Sequence, residues 1–176
     1  SFATDTVCCD LPCKGKTVRL MSLRFRDVWS IIRLQEEIQK GTDSEIYCPL
    51  TREEILESLH LDTVLGAFDE DGELSGVAVL ISNRKSSRNL AHDFQKAPEN
   101  VLTFDAVFVS PRSRGFGLQR VFVDKAKELA AKSGVRYILT TVSPSNKFSL
   151  DNFKAGGFET VSEYQKYGGR LRCLLC

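Results

Sequence analysis

One segment of the chain combines residue types that bind anions. It reads Val-Ser-Pro-Arg-Ser-Arg-Gly-Phe-Gly-Leu-Gln over residues 109–119 and joins an apolar run to a helical pattern. Glycines let backbone N–H groups approach a ligand, and a helix N-terminus adds unpaired donors and a partial positive charge. The segment therefore predicts a phosphate or pyrophosphate site, with Arg112 and Arg114 as further donors. The alternative is a tight strand-to-helix turn with solvated arginines.

Two common phosphate-binding loops do not fit this segment. No Gly-Lys-Ser/Thr follows the glycines, so it is not a Walker loop, and Arg120 occupies the third glycine position of the dinucleotide fingerprint. Instead, V-x-P-x-x-R-G-x-G over residues 109–117 resembles the acyl-coenzyme A signature of the GNAT-type N-acetyltransferases. Residues 146–158 are similar to that superfamily's N-x-x-(small)-x-x-x-(aromatic)-x-x-x-G-F segment. The resemblance is specific over residues 101–158, looser over 17–81 and does not explain 1–16.

The resemblance implies acetyl-CoA as the cofactor. Its pantetheine arm would pair with the strand before the glycines, and its pyrophosphate would lie at the backbone N–H groups of the loop and helix start. The family has Gly or Ala where this chain has Gln, which keeps the N–H. The residues so implied are Val107, Phe108, Val109, Arg112, Arg114, Gly115, Phe116, Gly117, Leu118, Gln119, Asn146, Ser149 and Phe153.

The family reaction is direct transfer of the acetyl group to a primary amine of a small molecule or peptide in a ternary complex. A free alkylamine has a pKa of about 10.4, so a base or water chain must take its proton. Asp105, where related sequences often have Glu, is the predicted base or water-positioning residue. A salt-bridge partner or a polar residue at the sheet's open face is the alternative. The resemblance also implies that the Val109 N–H donates to the developing oxyanion.

The family's usual acid is a Tyr at the position of Phe153, which cannot donate a proton. Tyr167, Tyr164 and Tyr47 are candidate substitutes, with structural roles as their alternatives. A thiol with a pKa of about 8.5 is also a tolerable leaving group without full protonation. Phe153 therefore motivates a second hypothesis, a non-catalytic acyl-CoA-binding module of the same fold.

Six cysteines raise a third hypothesis, a metal or redox site. Cys173 and Cys176 have CxxC spacing, but the leucines between them fit a strand and no His lies nearby, so no metal is predicted. Reduced thiols in the cytoplasm are favoured over disulfides, because the chain has neither a secreted context nor a very small core. Cys48 precedes Pro49 where the family builds its acceptor pocket, with a core or surface thiol as the alternative. The others are Cys8, Cys9 and Cys13.

Hydrophobic periodicity predicts the elements that position these residues. A capping box between Thr51 and Glu54 marks the start of the second helix. The element order predicts an α/β (α+β) fold with a mainly antiparallel sheet flanked by helices, and the resemblance adds a splayed pair of central strands at the acyl-CoA site. Strands are predicted over residues 17–23, 63–68, 74–81, 101–109, 135–142, 158–164 and 171–175, and helices over about 26–41, from 51, over 115–132 and over 145–157.

Charge and length exclude other classes of protein. The 176 residues carry 24 Lys and Arg against 23 Asp and Glu, a formal net charge of +1, which argues against binding to nucleic acid. No apolar run approaches the ~20 residues of a membrane helix, and residues 1–12 as given have no signal-peptide pattern. We expect a loose arm over residues 1–16 and one N-acetyltransferase domain over 17–176.

The acceptor has no recognisable motif. Family members differ most in the first two helices and in the loop before the central strand, here residues 27–58 and 82–100. Trp29 is predicted to be a core residue or a wall of the acceptor groove, and the basic run over residues 84–88 a solvated loop. His92 is most simply a solvated loop residue. The closing strands of the family often meet a partner chain, so a homodimer is also an expectation.

Overall fold

The computed structural model describes residues 8–176. The prediction that residues 1–12 have no signal-peptide pattern therefore concerns residues that lie largely outside the described range. The described part forms eight strands and four α-helices. The helices are α1 (Val28–Gln39), α2 (Arg52–Leu61), α3 (Leu118–Lys132) and α4 (Lys147–Ala155). The strands are β1 (Cys8–Cys13), β2 (Lys16–Ser22), β3 (Thr63–Phe68), β4 (Leu74–Ile81), β5 (Val101–Val109), β6 (Tyr137–Val142), β7 (Thr160–Lys166) and β8 (Arg170–Leu175).

All eight strands form one sheet in the order β1-β2-β3-β4-β5-β6-β8-β7. Every neighbouring pair is antiparallel except β5 and β6, which are parallel. Parallel neighbours need a crossover connection, and α3 supplies it. The predicted mixed fold with a mainly antiparallel sheet is therefore confirmed.

The parallel pair separates partway along its length. Register partners run from Val101 to Phe104 on β5 and from Tyr137 to Thr140 on β6. The last residues of β6 pair with β8, which lies on the other side of β6. On the other side of β5, Leu80 lies opposite Phe104 but Val79 lies opposite Ala106, so Asp105 is the extra residue of a β-bulge. A bulge bends its strand and redirects a side chain. The wedge between β5 and β6 begins at this residue.

Helices cover both faces of the sheet because strand side chains alternate between faces. Helices α3 and α4 pack on one face, where Phe122 and Phe153 meet Leu80 and Phe104. Helices α1 and α2 pack on the other, with Ile31 among their buried residues. The capping box at Thr51 is confirmed, since its hydroxyl accepts from the Glu54 N–H and the Glu54 carboxylate accepts from the Thr51 N–H.

Three expectations about peripheral segments need correction. Residues 8–13 are part of the sheet rather than a loose arm, because β1 pairs with β2 through a turn at Lys14 and Gly15. Trp29 is 59 % exposed, and its ring packs against the Arg52 guanidinium instead of the core. The basic run over residues 84–88 is not wholly solvated, because Ser86 is 4 % exposed and the segment packs onto the sheet, where the Leu90 N–H donates to the Thr103 hydroxyl at 2.9 Å.

Candidate active site

A cavity of about 410 Å³ opens in the wedge between β5 and β6. Ligand pockets commonly have volumes of this order. Its walls come from both strands, α4, the α1–α2 connection and the turn between β7 and β8. The polar and aromatic residues that line it include Tyr47, Cys48, Glu54, Arg88, Phe104, Asp105, Phe108, Thr141, Asn146, Ser149, Phe153, Lys166, Tyr167 and Arg172.

Asp105 lies in the cavity wall with its side chain only 7 % exposed. The Arg88 guanidinium donates to its carboxylate at 2.7 Å, and also to the Ser58 hydroxyl at 2.7 Å. Burial raises the pKa of Asp105 to about 6, while Arg88 limits the rise. Asp105 therefore forms a salt bridge, as one prediction had it, and also lines the cavity, as a catalytic base must. It is ionised at neutral pH and more basic than an exposed Asp.

Sequence reasoning missed Arg88, which was expected in a solvated basic loop. Its side chain is 12 % exposed and reaches α2 as well as β5. Nothing local signals this, since Ser58 is 30 residues away and Asp105 is 17 residues away.

The three candidate tyrosines have different surroundings. The Tyr47 hydroxyl lines the cavity region but donates to the Gln35 side chain at 3.0 Å. Tyr164 donates to Asp93 and is not a lining residue of the cavity. Tyr167 lines the cavity, its hydroxyl lies 2.9 Å from that of Thr141, and burial raises its pKa to about 12. Tyr167 is the tyrosine whose proton is best placed for use in the cavity.

The end of β5 directs two peptide groups away from β4. The Ser110 N–H donates to the Ser75 carbonyl at 2.8 Å, so the directly opposed pair Ser110 and Ser75 is hydrogen-bonded. Because such pairs alternate along antiparallel strands, the peptide groups of Val107 and Val109 point toward the wedge instead. Phe108 contributes its ring, which meets Tyr47 edge-on across 5.8 Å.

The glycine loop follows β5 directly and has the backbone that its sequence predicts. Gly115 and Gly117 have φ values of +80° and +84°, and Gly117 is the N-cap of α3. A Cβ placed on Gly115 would meet no atom within 4 Å, so the space above it is open. Arg112 lies 3.6 Å from Glu37 of α1 and is well exposed. The loop thus presents helix N–H groups next to the wedge.

Helix α4 is tied to the start of α3. Asn146 caps α4, since its side-chain oxygen accepts from the Ser149 N–H at 3.1 Å. Gln119, where the family usually has a small residue, is 5 % exposed and donates to the Ser149 hydroxyl at 2.9 Å. Phe153 packs edge-on against Phe104, with ring centres 5.2 Å apart. These contacts bring the two predicted motifs to the same wedge.

Among the remaining candidates, Cys48 is exposed and lines the cavity. Cys13, Cys48, Cys173 and Cys176 are free thiols, and the thiols of the other two cysteines lie outside what the structure describes. Residues 8–176 contain no group of three or more His, Cys, Asp or Glu side chains arranged to hold a metal ion. Within the same residues no helix has the length and apolar character needed to cross a membrane. His92 is exposed and is not a lining residue.

Comparison with known proteins gives one family match and several solved structures of similar fold. The acetyltransferase (GNAT) family model matches residues 25–158. A GNAT family acetyltransferase from Listeria monocytogenes has 17 % identity and a TM-score of 0.71, over 96 % of this chain and 99 % of its own. The GNAT domain of S. lividans PAT has 16 % identity and a TM-score of 0.70, over 96 % of both chains. The ribosomal-protein-S18-alanine N-acetyltransferase from Escherichia coli has 14 % identity and a TM-score of 0.65, over 90 % of both. No curated protein gives a significant sequence match.

Proposed function

Since this chain belongs to the GNAT acetyltransferase family, we propose that it is an N-acetyltransferase acting on a primary amine of a small molecule or peptide. The observation that carries the proposal is the wedge between β5 and β6. Its cavity holds a buried carboxyl at Asp105 and a hydroxyl at Tyr167, beside two motifs that fit an acyl-CoA. The non-catalytic alternative is less favoured, because a module that only binds has no need of these two groups.

The residues present fit acetyl-CoA, which supplies an activated acetyl thioester when bound. The peptide groups of Val107 and Val109, directed into the wedge, would hold its pantetheine arm. The N–H groups from Gly115 to Gln119 at the start of α3 would hold its pyrophosphate, with Arg112 and Arg114 adding positive charge. Asn146, Ser149 and Phe153 would line the opposite side of the arm.

Asp105 is the proposed base. An attacking amine must lose a proton, and a carboxylate with a pKa of about 6 is a better acceptor than an ordinary Asp. Arg88 keeps the carboxylate ionised and fixes its orientation. Tyr167 is the proposed acid for the leaving sulfur, and the Val109 N–H the proposed oxyanion donor.

The proposal extends to the compartment and assembly. Free thiols at four described cysteines support a reducing environment, which favours the cytoplasm. Strand β7 forms one edge of the sheet and is largely exposed, and such an edge supports a homodimer contact.

Calorimetry with acetyl-CoA, combined with a thiol-release assay over a panel of amines, tests the function. Gly117→Trp should abolish binding, whereas Gly134→Trp, at an exposed glycine of similar φ beyond the end of α3, should retain it. Turnover in the wild type supports the transferase. Binding without release of thiol on any amine supports the non-catalytic module. No binding at high micromolar acetyl-CoA, with Gly117→Trp equal to wild type, overturns both.

A further inference from the structure

Arg172 is a buried cation in the wall of the cavity. It is 3 % exposed, and its Nη1 donates to the Leu171 carbonyl at 2.8 Å. Its guanidinium also faces the Tyr167 ring, 5.8 Å from the ring centre. Within residues 8–176 no carboxylate lies within 4.0 Å of its nitrogens. A buried charge without a counter-ion destabilises a fold by several kcal/mol, on the order of the penalty for any unpaired ion.

The other cations of the cavity differ from Arg172 in this respect. Arg88 is paired with Asp105, and Lys166 lies 2.7 Å from Asp93. Their charges are compensated within the protein. Arg172 alone among these three presents an uncompensated guanidinium to the cavity, and the planar fork of a guanidinium matches a carboxylate or phosphate.

Strand geometry gives the side of the cavity on which Arg172 lies. Along β8, Cys173 and Leu175 pack into the core under α3 and α4, whereas Leu174 packs with Leu90 on the opposite face. Because side chains alternate, Arg172 shares the face of Leu174. It therefore lies across the sheet from α4 and the proposed cofactor groups.

Tyr167 links this cation to the proposed base. Its ring faces Arg172, and Tyr167 and Asp105 both line the cavity. An anion held by Arg172 and an amine beside Asp105 would occupy one small space. A single small molecule with both groups fits this arrangement.

We propose that the acceptor is a small amine that also carries an oxyanion, a carboxylate or a phosphate, and that Arg172 binds this anion. The inference rests on the proposed acetyl transfer for the amine, but the anion site is testable by itself. Because the positive charge of Arg172 attracts the anionic group, analogues of the same amines that lack this group should bind weakly.

The transfer assay uses two matched pairs of probes with acetyl-CoA. The first pair is a pool of the common α-amino acids against the same pool as carboxamides. The second is 2-aminoethyl phosphate against ethanolamine, which distinguishes a phosphate from a carboxylate. In at least one pair, we expect the apparent kcat/KM of the anionic probe to be at least about tenfold higher than that of its neutral counterpart. The difference corresponds to the loss of one charge-assisted hydrogen bond. Equal use of the neutral members overturns the proposal.

Three variants assign the preference to Arg172. Arg172→Gln should reduce it to less than about threefold, and Arg172→Lys should retain part of it, because Lys keeps the charge but loses the fork. Arg136→Gln removes an exposed arginine away from the cavity and should change nothing. A preference that survives in Arg172→Gln overturns the assignment. If that variant does not fold, Arg172→Lys and the wild-type comparison decide.

A binding measurement separates this proposal from the proposed function. Thermal unfolding of the CoA-loaded protein is followed with about 10 mM N-acetyl amino acids, N-acetyl-2-aminoethyl phosphate, or their neutral counterparts. Stabilisation by an anionic probe that disappears in Arg172→Gln supports the anion site even if no amine is acetylated. Turnover of neutral amines with no anion-dependent stabilisation supports the transferase and overturns the anion site.

Discussion

The Arg88 guanidinium and the Asp105 carboxylate meet at 2.7 Å where β5 bulges and its pairing with β6 ends. The same arginine donates to Ser58, so one side chain connects helix α2 to the bulge. This pairing keeps a carboxylate ionised inside a largely buried wall. The bulge therefore supplies both the opening of the cavity and its most basic carboxylate.

Removing the arginine should destabilise the protein in a pH-dependent way. Arg88→Gln leaves Asp105 buried without its partner, and breaking a buried pair costs about 3 kcal/mol. The folded-state pKa of Asp105, already raised to about 6, should rise further above its unfolded value of about 4. Below its unfolded-state pKa, protonated Asp105 contributes its full stability, and this contribution is lost as the pH rises through the folded-state pKa. The loss of stability caused by Arg88→Gln should therefore grow with pH.

Urea denaturation near about pH 5 and about pH 8 measures this effect. Arg84→Gln, in the same basic run but exposed, should change the free energy of unfolding by less than about 0.5 kcal/mol. An Arg88→Gln defect of equal size at both pH values would contradict the coupling to Asp105.

The pH profile of catalysis should report Asp105. Because the base must be ionised, kcat/KM should rise with an apparent pKa near 6. Asp105→Asn should lower kcat by at least about tenfold and remove this rise. Asp62→Asn is a matched control, since burial also raises the pKa of Asp62 to about 6 but Asp62 does not line the cavity. If the rise persists in Asp105→Asn, or disappears in Asp62→Asn, the base is a different group.

Much of the fold could be predicted because its signals are local. The bounds of β3, β4 and β5 follow from apolar runs that end at turn residues, and the glycine loop follows from its spacing. The pairing of Arg88 with Asp105 could not be predicted. It depends on how a 19-residue loop returns to the sheet and on a bulge that sequence patterns do not show. Arg172 could not be predicted either, because neither of the two motifs contains it. Its lack of a counter-ion depends on every side chain around the cavity.

Gln119 should stabilise the junction between α3 and α4 without being needed for cofactor binding. Gln119→Ala removes a buried hydrogen bond to Ser149 and should lower the free energy of unfolding by about 1–2 kcal/mol. The backbone N–H at this position is kept, so the affinity for acetyl-CoA should stay within about threefold of wild type. Gln165→Ala, at an exposed position on β7, is the control for both measurements. A large loss of affinity in Gln119→Ala would show that the side chain, not the backbone, contacts the cofactor.

Tyr167 should act as the general acid, in place of the tyrosine that the family usually has at the position of Phe153. Tyr167→Phe removes the hydroxyl beside Thr141 and should lower kcat by about 10- to 100-fold, the range for a general acid. Since burial raises the pKa of Tyr167 to about 12, the hydroxyl stays protonated at neutral pH and should add no descending limb to the profile. Tyr164→Phe loses a hydrogen bond to Asp93 outside the cavity and should keep kcat within about twofold. An acetyl thioester of a more acidic thiol needs less proton donation, so it should be affected less by Tyr167→Phe. Equal losses with both donors would contradict proton donation by Tyr167, because a purely structural role does not depend on the leaving group.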